Sequence, residues 1–132
     1  MPVIDVGLED YKPPELPKGK IQCEIKDAVY DEATGRLRVQ NEIVDGQMTP
    51  DGRDPRGTQF SEFILVDLRR AVEHKDGGAF ATQTLAEFCD STGVSRSSFD
   101  TEELVGKTYW ALVAPKDDLN GVPRLHVTKY LK

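Results

Sequence analysis

The sequence predicts a mainly β domain of five strands, with one helix between the third and the fourth strand. Three features carry this prediction: segments in which apolar and polar residues alternate, Gly- and Pro-rich breaks between those segments, and one stretch with helical periodicity. The chain has 132 residues, of which 38% are hydrophobic and 30% are charged. This length and composition are those of one folded domain that can bury its own core.

The first two strands are predicted to form a hairpin. In the first, Ile21, Cys23 and Ile25 alternate with polar residues, and the phase changes near Ala28, as it does at a β-bulge. The turn sequence DEATG separates this strand from RLRVQNEIVDG, which alternates in the same way. The short turn between two alternating segments indicates an antiparallel pair.

A Gly- and Pro-rich loop over residues 46–57 leads to the third strand, TQFSEFILVDL. A helical turn is expected near residues 69–74. The helix itself is predicted near residues 80–93, since Ala81, Leu85, Phe88 and Cys89 follow helical spacing and Gly93 stands where a C-terminal cap belongs.

The last part of the chain predicts a short helical turn and a second hairpin. Asp100 and Glu103 have the spacing of a capping box. Two further strands, KTYWALVAP and VPRLHVTKYL, are joined by a loop that contains Asn120-Gly121, a strong hairpin signal. The resulting order, β-β-β-α-β-β, is that of the five-stranded OB-fold, a closed or partly open barrel. We expect Leu85 and Phe88 to plug one end of it; another small α+β sheet is the alternative.

The first 17 residues read as an extended acidic leader, and residues 18–132 as the OB-fold-like domain. The segment KPPELP cannot form a helix or an inner strand. No apolar run is as long as a membrane span, and the start lacks a secretory signal, so we expect a cytoplasmic protein without membrane contact. Cys23 and Cys89 fit no metal-binding spacing and are predicted to be buried free thiols.

Enzymatic motifs are missing from the sequence. His74 and His126 belong to different elements, and neither has a Cys or a paired acidic residue at metal-ligand spacing. The sequence contains neither a Gly-rich phosphate loop nor a nucleophile elbow. The pairs Asp117-Asp118 and Glu102-Glu103 are typical of a turn and of the first turn of a helix. We therefore expect no catalytic site, no metal and no cofactor.

A binding function finds more support. The net charge of -6 argues against a general polyanion binder, yet no acidic residue follows Leu119. Exposed aromatic rings and clustered cations are what a single-stranded nucleic acid requires. Alternation places Arg36 and Arg38 on the outer face of the second strand, and Arg124, His126 and Tyr130 on one face of the fifth. The full set of candidate nucleic-acid-binding residues is Arg36, Arg38, Arg53, Arg56, Lys116, Arg124, His126, Tyr30, Tyr130 and Trp110.

Two of the aromatic assignments depend on strand parity. Tyr109 and Trp110 face opposite sides of their strand, so Trp110 is available for stacking only if Tyr109 takes the inner position. Phe60 and Phe63 stand in the same relation, and one of them can be exposed. Outward Arg residues on a strand also have a plainer explanation, because such residues keep a sheet face solvated or deter edge pairing.

Two long segments of the chain resemble a family of small bacteriophage proteins of formally unassigned function. They are LPKGKIQCEIKDAVYDEATGRLRVQNEIVDG and FDTEELVGKTYWALVAPKDDLNGVPRLHVTKYL. The resemblance extends from Leu16 to Leu131, and its most specific element is EELVGK at residues 102–107, followed by Asn120-Gly121 and the basic last strand.

The resemblance implies an OB-fold protein that binds single-stranded DNA, with little sequence preference, in phage replication and recombination. Its partners would be single-stranded DNA and phage or host replication and recombination proteins, and it would act in the cytoplasm of the infected bacterial host. The oligomeric state is open, and a homodimer is one arrangement. The alternative is an acidic phage protein-interaction module that docks on a host or phage enzyme through its leader or a sheet edge.

Overall fold

The computed structural model describes residues 2–10, 15–72 and 76–132. His74, and with it the end of the helical turn expected at residues 69–74, lies outside the described residues. The elements are β1 (Gly19–Asp31), β2 (Arg36–Gly46), β3 (Gln59–Leu65), a 3-10 turn (Leu68–Ala71), α1 (Ala79–Thr92), α2 (Thr101–Leu104), β4 (Thr108–Asp117) and β5 (Pro123–Tyr130).

The five strands form one antiparallel sheet in the order β3-β2-β1-β4-β5. The predicted mainly β fold, with its helix between the third and fourth strands, is confirmed. The predicted barrel, closed or partly open, is not confirmed: β3 pairs with β2 and β5 with β4, and no backbone ladder joins β3 to β5 in the part of the chain that the structure describes. The sheet therefore ends in two edges.

Strand β1 is the centre of the sheet and carries the predicted bulge. It pairs with β4 through residues 19–24 and with β2 through residues 21–31. The register against β2 shifts between Ile25 and Asp27, so that Lys26 is an additional residue on β1. Ile25 before the bulge and Ala28 after it are both buried. The extra residue preserves an inward apolar face where strict alternation would have turned it to solvent.

Three aromatic rings join the helix to the last two strands. Phe88 of α1 is fully buried, and its ring centroid lies 5.3 Å from that of Tyr130 and 6.3 Å from that of Tyr109, both in edge-to-face geometry. Leu85, expected to plug the same end, is only half-buried and packs at the margin of the core. The helix is thus anchored mainly through Phe88.

The core also contains a buried hydrogen bond between Tyr109 and Asn41. Tyr109 is inside the sheet, and its hydroxyl donates a 2.8 Å hydrogen bond to Oδ1 of the fully buried Asn41. Cys23 and Cys89 are buried free thiols, as expected. Burial raises the pKa of Cys23 to about 12, against a weaker opposing effect of its hydrogen bond with Tyr109. Such a thiol is protonated and unreactive at neutral pH.

The anchoring role of Phe88 predicts unequal costs for two truncations in α1. Phe88→Ala should lower the free energy of unfolding by about 3–5 kcal/mol, the usual cost of deleting a fully buried aromatic ring. Leu85→Ala should cost less than about 2 kcal/mol, because part of its side chain is already in contact with water. Urea denaturation of both variants measures the difference. Equal costs would contradict the packing described here.

Candidate nucleic-acid interface

The outer surface of β2 and β3 carries an exposed aromatic ring beside two arginines. Arg38 lies directly opposite Phe63 of β3 and Val29 of β1, and all three side chains are exposed. Phe63 has 61% of its surface accessible. Arg36 lies two residues before Arg38 on the same face. Neither arginine forms a salt bridge with any residue that the structure describes. We call Arg36, Arg38, Gln40, Ser61 and Phe63 the β2–β3 face.

A groove of about 750 Å³ separates this face from the β4–β5 hairpin. One wall carries Gln40, Ser61 and Phe63, and the opposite wall carries Lys116, Arg124 and His126. The fold therefore brings three of the predicted cations into one groove, opposite an exposed aromatic ring. A volume of this size is that of a small-molecule or single-nucleotide site.

The groove floor is formed by a buried carboxylate that joins the two sheet edges. Glu62 of β3 is 7% exposed, and its Oε1 atom accepts a 2.8 Å hydrogen bond from the backbone N–H of Val127 in β5. The same oxygen lies 3.2 Å from Nδ1 of His126. The Glu62 side chain thus supplies a β3–β5 hydrogen bond of the kind that backbone pairing would otherwise make, and it holds His126 at the groove wall.

Burial raises the pKa of the Glu62 carboxyl, and the hydrogen bond from Val127 and the neighbouring His126 offset part of that rise. Lys116 is close enough to act in the same direction as His126. The site therefore combines a desolvated acid with two basic side chains, and its charge depends on pH.

Several predicted cations are already engaged by aspartates next to them in sequence. Arg124 lies 3.3 Å from Asp118 within its own hairpin. In the long loop, the Arg56 side chain lies 2.6 Å from Asp54, and that of Arg53 lies 3.0 Å from Asp51. Arg53 also donates a 2.9 Å hydrogen bond to the backbone oxygen of Glu15. Arg53 joins the loop to the leader, Arg56 pairs only within the loop, and neither lines the groove.

Tyr130 is in the core, not on the face of β5 that carries Arg124 and His126. The expectation from alternation is wrong because the β4–β5 register shifts between Leu112 and Val113. After this shift the side chains at the end of β5 point to the opposite face of the sheet. Tyr130 is only 6% exposed and packs against Phe88. A buried ring cannot stack on a nucleobase, so Tyr130 leaves the candidate set.

Trp110 and Tyr30 are accessible but lie elsewhere. Tyr109 takes the inner position on β4, so Trp110 faces outward, half-buried, with the Lys20 ammonium 5.1 Å from its ring centroid. It lines a separate cavity of about 280 Å³ beside Gly46. Tyr30 lines an apolar cavity of about 440 Å³ with Leu85 and other residues. The structure brings neither ring to the groove.

Four residues of the site were not among the sequence candidates: Gln40, Ser61, Glu62 and Phe63. Ser61 and Gln40 are hydrogen-bonded through their side chains across β2 and β3. A signal for Glu62 was present, because it shares the parity of Phe60 and Ile64 and is thus an acid at an inward position. Its partner on β5 lies 65 residues away, and no pattern in the sequence indicates that contact.

Within the described residues, no helix is long and apolar enough to cross a membrane. The same part of the chain contains no group of three potential His, Cys, Asp or Glu metal ligands.

The environment of Glu62 predicts a pH-dependent difference between the parent protein and Glu62→Gln. The glutamine keeps the oxygen that accepts the Val127 hydrogen bond but carries no buried charge. A carboxyl whose pKa is raised on folding contributes stability at pH values below its unfolded pKa, about 4.3, and loses that contribution as pH rises through its folded pKa. The free energy of unfolding of Glu62→Gln should therefore increase relative to that of the parent between pH 4.5 and pH 8.

Urea denaturation across that pH range measures the difference, and Glu103→Gln, an exposed acid of α2, is the control that should track the parent. Glu62→Ala should cost about 1–3 kcal/mol at the acidic end of this range, because it leaves the Val127 N–H without its acceptor. That cost should shrink as pH rises, because the alanine variant also lacks the buried carboxyl. A Glu62→Gln curve parallel to that of the parent would show that the buried carboxyl does not titrate in this range.

No family model and no curated protein sequence matches the chain. The resemblance to the phage family therefore stays a prediction from the sequence.

Proposed function

We propose that this protein binds single-stranded DNA, with little sequence preference, on the β2–β3 face and in the adjoining groove. The observation that carries the proposal is the exposed ring of Phe63 directly opposite Arg38, with Arg36 two residues away and both cations free of salt bridges to described residues. An accessible ring beside unpaired cations is the combination from which single-strand sites are built.

The two components act on different parts of a nucleic acid. A base can stack on the Phe63 ring whatever its identity, which gives affinity of about 1–3 kcal/mol without base readout. Arg36 and Arg38 can each neutralise a phosphate and release its counterions. Because the whole chain carries a net charge of -6, attraction of the strand depends on such local clusters and not on overall charge.

The topology supports the same location. The order β3-β2-β1-β4-β5 is that of an OB-fold whose barrel is left open between β3 and β5. OB-folds bind oligonucleotides on the face of strands two and three and between the first and last hairpin loops. The groove lies between that face and the β4–β5 hairpin, which brings Lys116 and His126 to its second wall.

The biological setting of the proposal comes from the resemblance to the phage family. On that basis the protein acts in phage DNA replication and recombination, in the cytoplasm of the infected bacterial host, beside phage or host enzymes of those processes. The proposed activity is binding, with no catalytic residue and no cofactor.

A second candidate function, a protein-interaction module, is favoured by the leader. In residues 2–10, Val3, Ile4, Val6 and Leu8 are each more than half exposed, and Asp5, Glu9 and Asp10 stand among them. An exposed segment that mixes apolar and acidic residues is suited to dock on a basic, apolar surface of another protein. This function uses a different part of the chain and is compatible with DNA binding.

The proposed role of the arginines predicts a change in salt dependence. The double variant Arg36→Ala, Arg38→Ala should bind oligo-dT more weakly than the parent at low salt. Its plot of log affinity against log salt should be flatter by about 1.4, since each phosphate contact on a single strand contributes about 0.7. Fluorescence anisotropy over a salt series measures both quantities, and the melting temperature should change little because both positions are exposed strand residues.

The matched control is Arg69→Ala, Arg96→Ala, which removes the same charge from exposed arginines paired with Asp67 and Asp90. Its salt slope should equal that of the parent. Equal losses in the two double variants would show diffuse electrostatic attraction, and no loss in either would move the function to the interaction module.

Phe63 is expected to contribute affinity that salt does not screen. Phe63→Ala should weaken oligo-dT binding by about 1–3 kcal/mol while leaving the salt slope as in the parent, because stacking releases no counterions. Phe63→Trp should retain or increase affinity, since a larger ring stacks at least as well. Titrations at two salt concentrations separate this effect from that of the arginines. Unchanged affinity in Phe63→Ala would remove the central residue of the proposed site.

A further inference from the structure

A second cavity continues from the groove on the far side of the Glu62 bridge. It has a volume of about 310 Å³ and lies between the edges of β3 and β5 and the side of α1. Glu62, Phe63 and His126 line both the groove and this cavity, which we call the furrow. The two spaces are therefore neighbours that share the exposed ring of Phe63.

The furrow contains a second exposed aromatic ring. Phe80, in the first turn of α1, lines the furrow and has 75% of its surface accessible. Phe63 and Phe80 are the two most exposed aromatic side chains in the described part of the chain. The backbone of Phe80 is held on both sides: its N–H donates to Asp76 at 2.9 Å, and its carbonyl accepts from the Thr84 hydroxyl at 2.9 Å. The ring is thus presented to solvent from a fixed position.

The basic residues of β5 run alongside both spaces. Arg124 and His126 line the groove, His126 and Lys129 line the furrow, and Lys129 forms no salt bridge with a described residue. At about 3.3 Å per residue, Arg124 and Lys129 are roughly 16 Å apart along the strand. Acidic groups are present as well. Glu62 is bound to Val127, and Glu87 accepts a 3.1 Å hydrogen bond from Gln83. Asp117 and Asp118 line the groove, and Asp118 pairs with Arg124.

We propose that the furrow is a second subsite for the same single strand, with Phe80 as a stacking platform and Lys129 as a phosphate contact. This inference rests on the proposed function, because the strand enters the furrow from the groove, past Phe63 and His126. Continuity of the two spaces, a second presented ring and the cations along β5 favour single-stranded DNA as the occupant over an apolar peptide. The phosphates of the strand then lie along the basic side chains of β5.

The test uses the full chain and oligo-dT from roughly four to sixteen nucleotides, the range of OB-fold site sizes. Phe63→Ala should weaken binding at every length. Phe80→Ala should match the parent for the shortest oligonucleotides and fall about 5- to 150-fold below it once the strand is long enough to reach the furrow. Val105→Ala, an exposed apolar side chain outside both spaces, is the control and should match the parent throughout.

Ultraviolet crosslinking of bound oligo-dT gives a readout that does not depend on affinity. Trypsin places Phe63 in the peptide 57–69 and Phe80 in the peptide 76–96. Long oligonucleotides should leave adducts on both peptides, and short ones on 57–69 alone. Circular dichroism melting of each variant excludes loss of fold as the cause.

The outcomes separate the inference from the proposed function. If no oligonucleotide binds the parent, the proposed function fails, and the furrow proposal fails with it. If the parent binds and Phe63→Ala loses affinity, but Phe80→Ala matches the parent at every length and peptide 76–96 carries no adduct, the groove function stands and the furrow subsite is overturned. A loss in Phe80→Ala that is the same at all lengths would also overturn the order of contacts proposed here.

Discussion

A buried carboxylate joins the two edges of the sheet, and the arrangement of the proposed binding surface depends on it. Sheet edges expose unpaired backbone groups, which proteins usually cover, charge or close. In the described part of the chain the β3 and β5 edges meet without a backbone ladder, and the Glu62 side chain accepts a hydrogen bond from the N–H of Val127. Because one side chain takes the place of backbone pairing, the edges are joined at one point and open on either side of it. The groove and the furrow are those two openings.

The bridge carries a cost that the surrounding groups partly offset. A desolvated carboxylate is unfavourable unless it is hydrogen-bonded, and burial accordingly raises the pKa of Glu62. The Val127 N–H, His126 and Lys116 all favour its ionised form. The same basic residues line the groove, so the contacts that stabilise the bridge also place positive charge beside the β2–β3 face. The junction between the two sheet edges and the electrostatics of the site are therefore coupled.

Local pairing decides which cations of an acidic protein are available to a ligand. Arg53, Arg56 and Arg124 are each bound to an aspartate a few residues away in sequence. Arg36 and Arg38 alternate with Leu37 and Val39 on a strand, where neighbours in sequence face the opposite side and cannot pair with them. Arg36 and Arg38 thus have no salt bridge in the described part of the chain, whereas aspartates of the same loop or hairpin neutralise Arg53, Arg56 and Arg124. This is how a chain with a net charge of -6 can present an unpaired basic surface.

Much of the fold could be predicted from the sequence because it is governed by short-range rules. Alternation, turn residues and helical periodicity are local properties, and they correctly indicated five strands, the bulge in β1, the helix and the outward positions of Arg36 and Arg38. The prediction for Tyr130 failed because the β4–β5 register shift depends on how two strands pair, and a shift of one residue turns every later side chain to the other face.

The sequence by itself determined the elements of this protein, the parity of most of their side chains and the stock of charged and aromatic residues. Tertiary structure alone decided which of those residues lie together. Glu62 is bonded to Val127, Phe63 lies opposite Arg38, and Phe80 lines the same furrow as residues of β5. The outward orientation of Trp110 was decided in the same way, because only the packed core shows that Tyr109 takes the inner position through its hydrogen bond to Asn41. The physical reason is that the β3–β5 junction and the groove bring together residues that are far apart in the chain. The interactions of these residues depend on their distance in space, which no local sequence pattern encodes.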